Sequence, residues 1–536
     1  MNDNDRIHLV QTVLSEHDSY WDNQKQKMKA YKNVYHTQYW ENKIVGPMDE
    51  MLRIEIAEAY AFIEAMQSSL FNKYPGVELS SDDVDDDQVD ALKHVMNGWF
   101  RSQRQELERA SRLALIFPNS FIKLYDSGYG TDPFKRYKIK ALEPWNVIVD
   151  FGATDISCSR WIGHKYFITV SEAKKKFGNI AWSPKPKKEY FDPEERQYNN
   201  DRDTSSVPEQ YLFVRMVEFY DLLNDQIFWY SEDVENGPRI FDKSQIYPRT
   251  TYDTPMPAII PFYYVREADR PLLGYSSLRR VYDQCVEKNV LRTWWANAVR
   301  RDSRQFLFDR SRLDEDALSK LTAGIDGALI PYDGPITGDL LAPVQVTPIT
   351  NNHERYLASV ESDIQRGTIL AAFASGQSVK TTATEVNVLA QYTATELGKL
   401  ARERDIVLEN LAQCYIRMVM AEIDTPIPIS LGDQIVLLRP ETFDADFTVI
   451  AQDGASTPIS KALKQQEIVS LIPVLQSLGV SIDKIREEVV KTFDLPESFL
   501  EVEEEPEPNV PLVGDQQNPL DQTSAPDITA LLGGVQ

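Results

Sequence analysis

Cysteine is scarce. Cys158, Cys285 and Cys414 are the three in 536 residues, far apart and in no CxxC pair. Neither a disulfide framework nor a cysteine-based zinc site is supported, and reducing conditions during folding are the simple expectation. The six histidines are scattered without metal-ligand spacing. No run approaches the ~18 uninterrupted apolar residues of a spanning helix, and MNDNDRIHLV lacks a basic region ahead of an apolar core. Neither export nor a membrane span is expected. Basic charge is in deficit, with 57 Lys plus Arg against 82 Asp plus Glu and a formal net charge of −25. Such a surface does not wrap nucleic acid by general attraction, so any DNA contact has to be local or weak.

Sequence motifs of common enzyme chemistry are missing as well. There is no GxxxxGK[ST] loop to cradle nucleotide phosphates, and no HExxH. Gly274-Tyr275-Ser276-Ser277-Leu278 lacks the second glycine of a hydrolase elbow. Two SxxK matches, Ser171 to Lys174 and Ser481 to Lys484, each open an expected helix, where serine serves as N-cap. No cofactor and no enzymatic activity are expected. The acidic run SSDDVDDDQVD at 80–90 reads as a helix cap or solvated turn. Its alternative is a cation site, and with it a metal-dependent nuclease using Asp85 and Asp86.

What is present is ample for ordinary cores: 42% hydrophobic and 10% aromatic residues. Helical spacing runs over 5–40 (Ile7, Val10, Leu14, Trp21, Met28, Tyr31, Tyr35), 49–72 and 88–116. From about 119 to 265 the texture changes to short runs that read as strands: FIKLYDSGYG, RYKIKALEP, NVIVDFG, RWIGHKYFITV, YLFVRMVEFYDLL and DQIFWYS. A polar insertion at 183–207 interrupts them as a surface loop. Helix returns over 275–301, gives way to a mixed segment with strand-like QFLFD and GALIPYDG, and resumes at NNHERYLASVESDIQRGTIL. A loop around Gly376 leads into a helix over 381–423, about 60 Å long at 1.5 Å per residue. Two strands and a turn follow, then two helices over 459–499, and an acidic, proline-rich tail from 501 that reads as disordered.

Within the long helix one word occurs twice, Thr382-Ala383-Thr384-Glu385 and Thr393-Ala394-Thr395-Glu396. Eleven residues are almost three helical turns, so both copies share a face, and small residues there let another backbone approach. The basic positions Arg292, Arg300, Arg301 and Arg304 surround Trp294 and Trp295. They fit a nucleic-acid patch, or equally a helix whose tryptophans pack and whose arginines pair with a neighbour's acids.

The phrases ALEPWNVIVDFGATDISCSRWIGHKYFITVSEAKKKFG (141–178), VRMVEFYDLL, IIPFYYVREADRPLLGYSSLRRVYDQCVEKNV and the repeated-word helix, in that order over about 10–500, resemble the portal proteins (head-to-tail connectors) of tailed double-stranded-DNA bacteriophages, closest to the short-tailed, podovirus-like type. The resemblance implies an α+β, mostly helical portal fold with wing, stem, clip and crown. It places a wing over 1–274, stem helix 1 over 275–301, a clip over 302–350, stem helix 2 over 351–371 and a tunnel loop over 372–382. Further wing, with the long helix and strands, falls at 383–454, the crown at 455–500 and the disordered acidic tail at 501–536.

By the same resemblance the chain forms a homododecameric ring at one capsid vertex of the virion, assembled in the host cytoplasm, through which double-stranded DNA is packaged and ejected. Terminase docks first, adaptor and tail proteins later, and the major capsid protein surrounds the ring. Gln377, Ser378 and Lys380 then face the channel, Arg292, Arg300, Arg301 and Arg304 mark the stem and clip, and Asp314, Glu315 and Asp316 meet partners at the clip. These last three equally read as the cap of helix DEDALSKL. Thr382, Thr384, Glu385, Thr393, Thr395 and Glu396 pack the wing helix. Another structural ring or adaptor protein of a virion is the alternative.

Overall fold

The computed structural model describes residues 2–40, 53–71, 75–128, 132–186, 212–242, 257–269, 272–302, 306–308, 315, 319, 341–343, 351–368, 383–420, 425–431, 434–440 and 446–451. The chain divides into two compact units, 1–460 and 461–536, and every described residue belongs to the first. The expected tunnel loop, crown and acidic tail, the Ser481 match, and most of the insertion at 183–207 and of 302–350 lie outside the described residues. Among the described residues helix outweighs strand, 53% against 24%, a mixed α+β content that is mostly helical.

Helix α1 (Asp3–Tyr35) starts where the Asn2 side chain accepts from the Asp5 amide at 2.9 Å, with Asp3 and Asp5 complementing the amino end of the helix dipole. It buries Val10, Val13, Leu14, His17, Trp21 and Met28, a stripe at helical spacing. Helix α2 (Glu58–Leu70) is shorter than the stretch expected over 49–72. Residues 53–57 are not helical, and their exposure alternates with a strand's two-residue period. Strand β1 (Val77–Ser80) precedes α3 (Asp86–Ser102) and α4 (Arg104–Ile116), which break at Gln103 rather than running on as one helix. The acidic run therefore lies at the α3 amino end. Asp85 occupies the cap position without a side-chain cap bond, and Asp86 and Asp87 sit in the first turn, where negative charge meets the dipole.

The strand-rich part follows as β2 (Ser120–Asp126), the short α5 (Pro133–Arg136), β3 (Tyr137–Leu142), β4 (Val147–Val149), β5 (Trp161–Thr169), α6 (Val170–Phe177), β6 (Lys185–Pro186), β7 (Leu212–Asp221), β8 (Gln226–Ser231), β9 (Arg239–Asp242) and β10 (Ile259–Phe262). Strands β10, β2 and β3 make an antiparallel three-stranded sheet, and β4, β5, β7, β8 and β9 a larger one that β6 joins through β7. In α6 the cap is Thr169, in a capping box with Glu172; Ser171 does not hold the capping role expected of it. Just before the polar insertion buried Trp182 bridges to Val234, and at the start of the insertion β6 pairs with β7.

Helices α7 (Tyr282–Asp302), α8 (Asn351–Thr368) and α9 (Ala383–Met420) come next, with strands β11 (Phe306–Phe308) and β12 (Leu341–Pro343) between the first two. Strands β13 (Ile427–Leu431) and β14 (Gln434–Leu438) form a hairpin, while β15 (Thr448–Ala451) leaves it to pair with β1 some 370 residues earlier by sequence number. The main core gathers α2, α3, α4, the three-stranded sheet and the carboxyl half of α9, from Leu397 to Val419. The larger sheet is covered on both faces. Val10, Val13 and Leu14 of α1 meet Ile148, Val217, Phe219 and Phe228 on one side, and Ala173 and Trp182 meet Val214, Met216 and Trp229 on the other.

Helix side chains close several strand edges. Gln103 and Glu106 accept the amides of Ile139 and Ala141 on β3, at 3.2 and 2.9 Å. The Gln88 amide donates to the Leu437 carbonyl and accepts from the Arg439 amide, and Asn97 does the same for both backbone groups of Val77. Satisfied edges offer no template for pairing with another chain. The break at Gln103 has its reason here: it turns Gln103 and Glu106 toward the free side of β3.

Candidate functional site

Helices α7 and α8 pack as an antiparallel pair. Gly367, near the end of α8, lies against Val281 and the Arg280 carbonyl at the start of α7; an added Cβ would stand 2.6 Å from Val281 Cγ1. Farther along, Lys288 reaches Glu361 at 3.1 Å, and the Tyr356 hydroxyl donates to Glu287. The distal ends, Asp302 and Asn351, are joined by the segment that contains β11 and β12, and these pair antiparallel with Phe306 opposite Pro343. The result is a helical hairpin carrying a β ribbon between its distal ends.

The hairpin is fastened to the rest of the unit by polar groups. Lys288 also pairs with Glu58 of α2, at 2.5 Å. Burial disfavours its charge, but the hydrogen bonds and proximity of Glu58 and Glu361 outweigh that and raise its pKa. Along the same helix Cys285, Asn289, Thr293 and Asn297 form a buried stripe at four-residue spacing. Asn289 Oδ1 accepts from the Ile56 amide at 2.6 Å, and Thr293 Oγ1 from the Ile54 amide at 3.0 Å. Residues 53–57 are thus strapped to α7 by side chains that take the place of a neighbouring strand.

Of the basic positions, Arg292 is exposed on α7; Arg300 and Arg301 belong to its last turn, with side chains outside the described residues, and Arg304 is outside altogether. In the single chain Trp294 is 59% exposed and Trp295 half-buried. At the expected clip Glu315 is helical and exposed, while Asp314 and Asp316 lie outside the described residues, as do Gln377, Ser378, Lys380 and Thr382. Thr384, Glu385 and Thr393 are in α9 by backbone, with side chains outside the described residues. Thr395 is exposed, and half-buried Glu396 pairs within its own helix with Lys399 at 2.5 Å. Of the second copy Thr395 is exposed in the single chain, and among the described side chains of α9 Leu397 is the first to enter the core.

Two ionisable clusters escaped the sequence reading. Lys123 on β2 donates to Glu218 Oε2 of β7 at 2.7 Å and stands 3.3 Å from His164 Nδ1 of β5, while Tyr220 donates to Glu218 Oε1. On the opposite face Lys165 donates to Asp18 Oδ1 at 2.6 Å and stands 3.1 Å from His17 Nδ1, and His17 Nε2 donates to the Val147 carbonyl at 2.9 Å. Burial, with Lys123 and Lys140 nearby, holds His164 well below its usual pKa; burial also lowers His17, against the opposing pull of Asp18. Lys, His and Glu in hydrogen-bond reach make a possible acid-base set, but His164, Lys123 and Glu218 are 5%, 7% and 7% exposed, which leaves no access for a substrate. A signal for the first cluster was present in the sequence: a lysine and a histidine inside apolar strand runs, FIKLY and WIGHKYF.

Among the described residues no group of three or more His, Cys, Asp or Glu side chains is placed to hold a metal ion, and no helix is long and apolar enough to cross a membrane. No model of a known protein family matches the chain, and no curated protein matches it.

Proposed function

We propose that the chain is the subunit of a portal-type ring, a channel at one capsid vertex through which double-stranded DNA enters and leaves a virion. The observation that carries this reading is the α7/α8 hairpin with a β ribbon between its distal ends, rooted in an α/β body and followed by a helix of 38 residues. Two antiparallel helices whose far ends are joined through a β ribbon are the arrangement expected of a portal's stem and clip, which supports the reading.

Packed around an axis, such hairpins line a channel, and their tips present a docking ring for a packaging terminase and afterwards for adaptor and tail proteins. The long helix, with its outward Thr395 and its repeated small-residue word, contributes the surface that meets the neighbouring copy. A net charge of −25 per chain suits a conduit, since phosphates are repelled rather than retained. A few basic positions, Arg292 and Lys380 among them, guide the duplex without trapping it. In this reading the protein is structural and carries out no catalysis; the ATP-driven work belongs to the terminase.

Negative-stain electron microscopy and light scattering on the purified full chain test the proposal. Rings with a central hole and a mass about twelve times 61.4 kDa are expected. A persistent monomer or dimer at high protein concentration overturns it.

A further inference from the structure

Strand β5 carries, at consecutive positions, members of two clusters that each join a lysine, an imidazole and a carboxylate; the first is buried, whereas in the second the Asp18 side chain is 45% exposed. His164 faces Lys123 of β2 and Glu218 of β7; Lys165 faces His17 and Asp18 of α1. In each, a lysine ammonium donates to a carboxylate and stands within 3.3 Å of an imidazole Nδ1. An ammonium has no acceptor, so where the lysine donates to Nδ1 the imidazole is neutral; His17 Nδ1 also stands 3.2 Å from Asp18 Oδ1, the acceptor its protonated form would use. For His17 the tautomer is settled independently, because Nε2 points at the Val147 carbonyl and must carry the proton. Since successive strand residues face opposite sides, one cluster ties the larger sheet to the three-stranded sheet and the other ties it to α1.

We propose that β5 is a two-sided acid latch: protonation of His164 and His17 turns both Nδ1 acceptors into donors facing a lysine ammonium, and so loosens β2 from one face of the sheet and α1 from the other. Around His164 the charged and titratable groups are Lys123, Lys140, Glu218, Tyr166 and Tyr220. Around His17 they are Asp18 and Lys165, with Asp22 and Arg215 acting on Lys165 from behind. At His17 the new donor meets Asp18 Oδ1 at 3.2 Å, so two cations contest one carboxylate. At His164 Glu218 is already engaged by Lys123 and Tyr220.

The sign follows from proton binding. Both imidazoles are lowered in the fold, so the unfolded chain binds more protons as the pH falls below about 6.5. Their contribution to stability is whole above that pH and is lost progressively toward the folded-state values. Asp18 and Glu218 are held below the ordinary carboxylate range: burial raises them, and their hydrogen-bonded partners outweigh it. Their contribution is lost in stronger acid, below about pH 4, so the window from about pH 6.5 to 4.5 belongs to the histidines.

The latch does not depend on the ring reading. Hydrogen–deuterium exchange of the full chain at pH 7.5 and 5.5, corrected for intrinsic exchange rates, tests it. In the wild type, α1 around residues 10–21 and strand β2 are expected to exchange several-fold faster at the lower pH, toward the limit of about tenfold that one histidine with an open-state pKa of about 6.5 can supply. His17→Gln, which keeps a neutral donor for the Val147 carbonyl, should abolish the response of α1 alone. His164→Asn, whose side-chain oxygen replaces Nδ1, should abolish that of β2 alone. Unchanged wild-type exchange between the two pH values overturns the proposal whether or not either variant folds, and so does a full response retained in folded variants.

Discussion

Tyr415 of α9 stacks on Trp99 of α3, ring centroids 4.1 Å apart and planes 22° apart, and its hydroxyl donates to the Phe134 carbonyl at 2.8 Å. One side chain thereby joins the long helix to two other elements in a fully buried position. Tyr415→Phe keeps the stacking and orphans a buried carbonyl, for an expected loss of about 1–3 kcal/mol. Tyr415→Ala removes the ring as well and should cost about 3–5 kcal/mol. Urea unfolding of the two variants beside the wild type measures both.

The Lys123–Glu218 pair offers a contrast between breaking a buried ion pair and replacing it. Lys123→Met leaves Glu218 charged in a closed site and should destabilise by about 3–5 kcal/mol. Adding Glu218→Leu to that variant should recover much of the loss, because the uncompensated charge disappears. A double variant as unstable as the single one would mean that the cost lies in packing rather than charge.

Thiol chemistry should single out one cysteine. Cys158 is exposed, whereas Cys285 and Cys414 are buried and burial pushes both thiols up to about 12. Brief treatment of the folded protein with iodoacetamide at pH 8 is expected to add one label per chain, at Cys158, and three after unfolding. Peptide mass spectrometry distinguishes the sites.

Two helical glycines should respond in opposite directions. A Cβ at Gly367 would press on buried Val281, so Gly367→Val should cost about 1–3 kcal/mol and loosen the hairpin. Gly98, inside α3, has nothing within 4 Å of that position, and Gly98→Ala should stabilise by about 0.5–1 kcal/mol. Shifts of the urea midpoint to opposite sides of the wild type check the pair.

Strands β2, β3, β4, β5, β7 and β8 were legible because their apolar runs are short and set off by turn and loop residues, whereas β6, β9 and β10 were too short to stand out. The hairpin helices were legible for the opposite reason, as longer runs without a breaker. What escaped reading depends on distance in the chain. Strands β1 and β15 have four residues each, and neither has a stable partner nearby in sequence, so their pairing leaves no local mark. The break at Gln103 follows from strand β3, more than thirty residues on, whose edge that turn serves. The strap at 53–57 lies in a stretch whose period looked helical; the stripe on α7 that holds it carries Asn and Thr, residues that give no apolar rhythm. As for the candidate site, Arg292 and Trp294 stood out by residue type, but sequence could not reveal that Trp294 is exposed, because the hairpin partner that decides which face is covered lies some sixty residues away.

The strap on α7 also behaves as a vernier. Asn289 and Thr293 are four residues apart, a helical rise of about 6.0 Å, while the Ile54 and Ile56 amides they receive are two residues apart, about 6.6–6.8 Å in a strand. The two scales agree over a pair of rungs and drift by more than half an ångström at each further one. A helix can hold a strand in this way for only a short length, so the span of the strap is limited by the mismatch of two repeats rather than by any stop signal in its own residues.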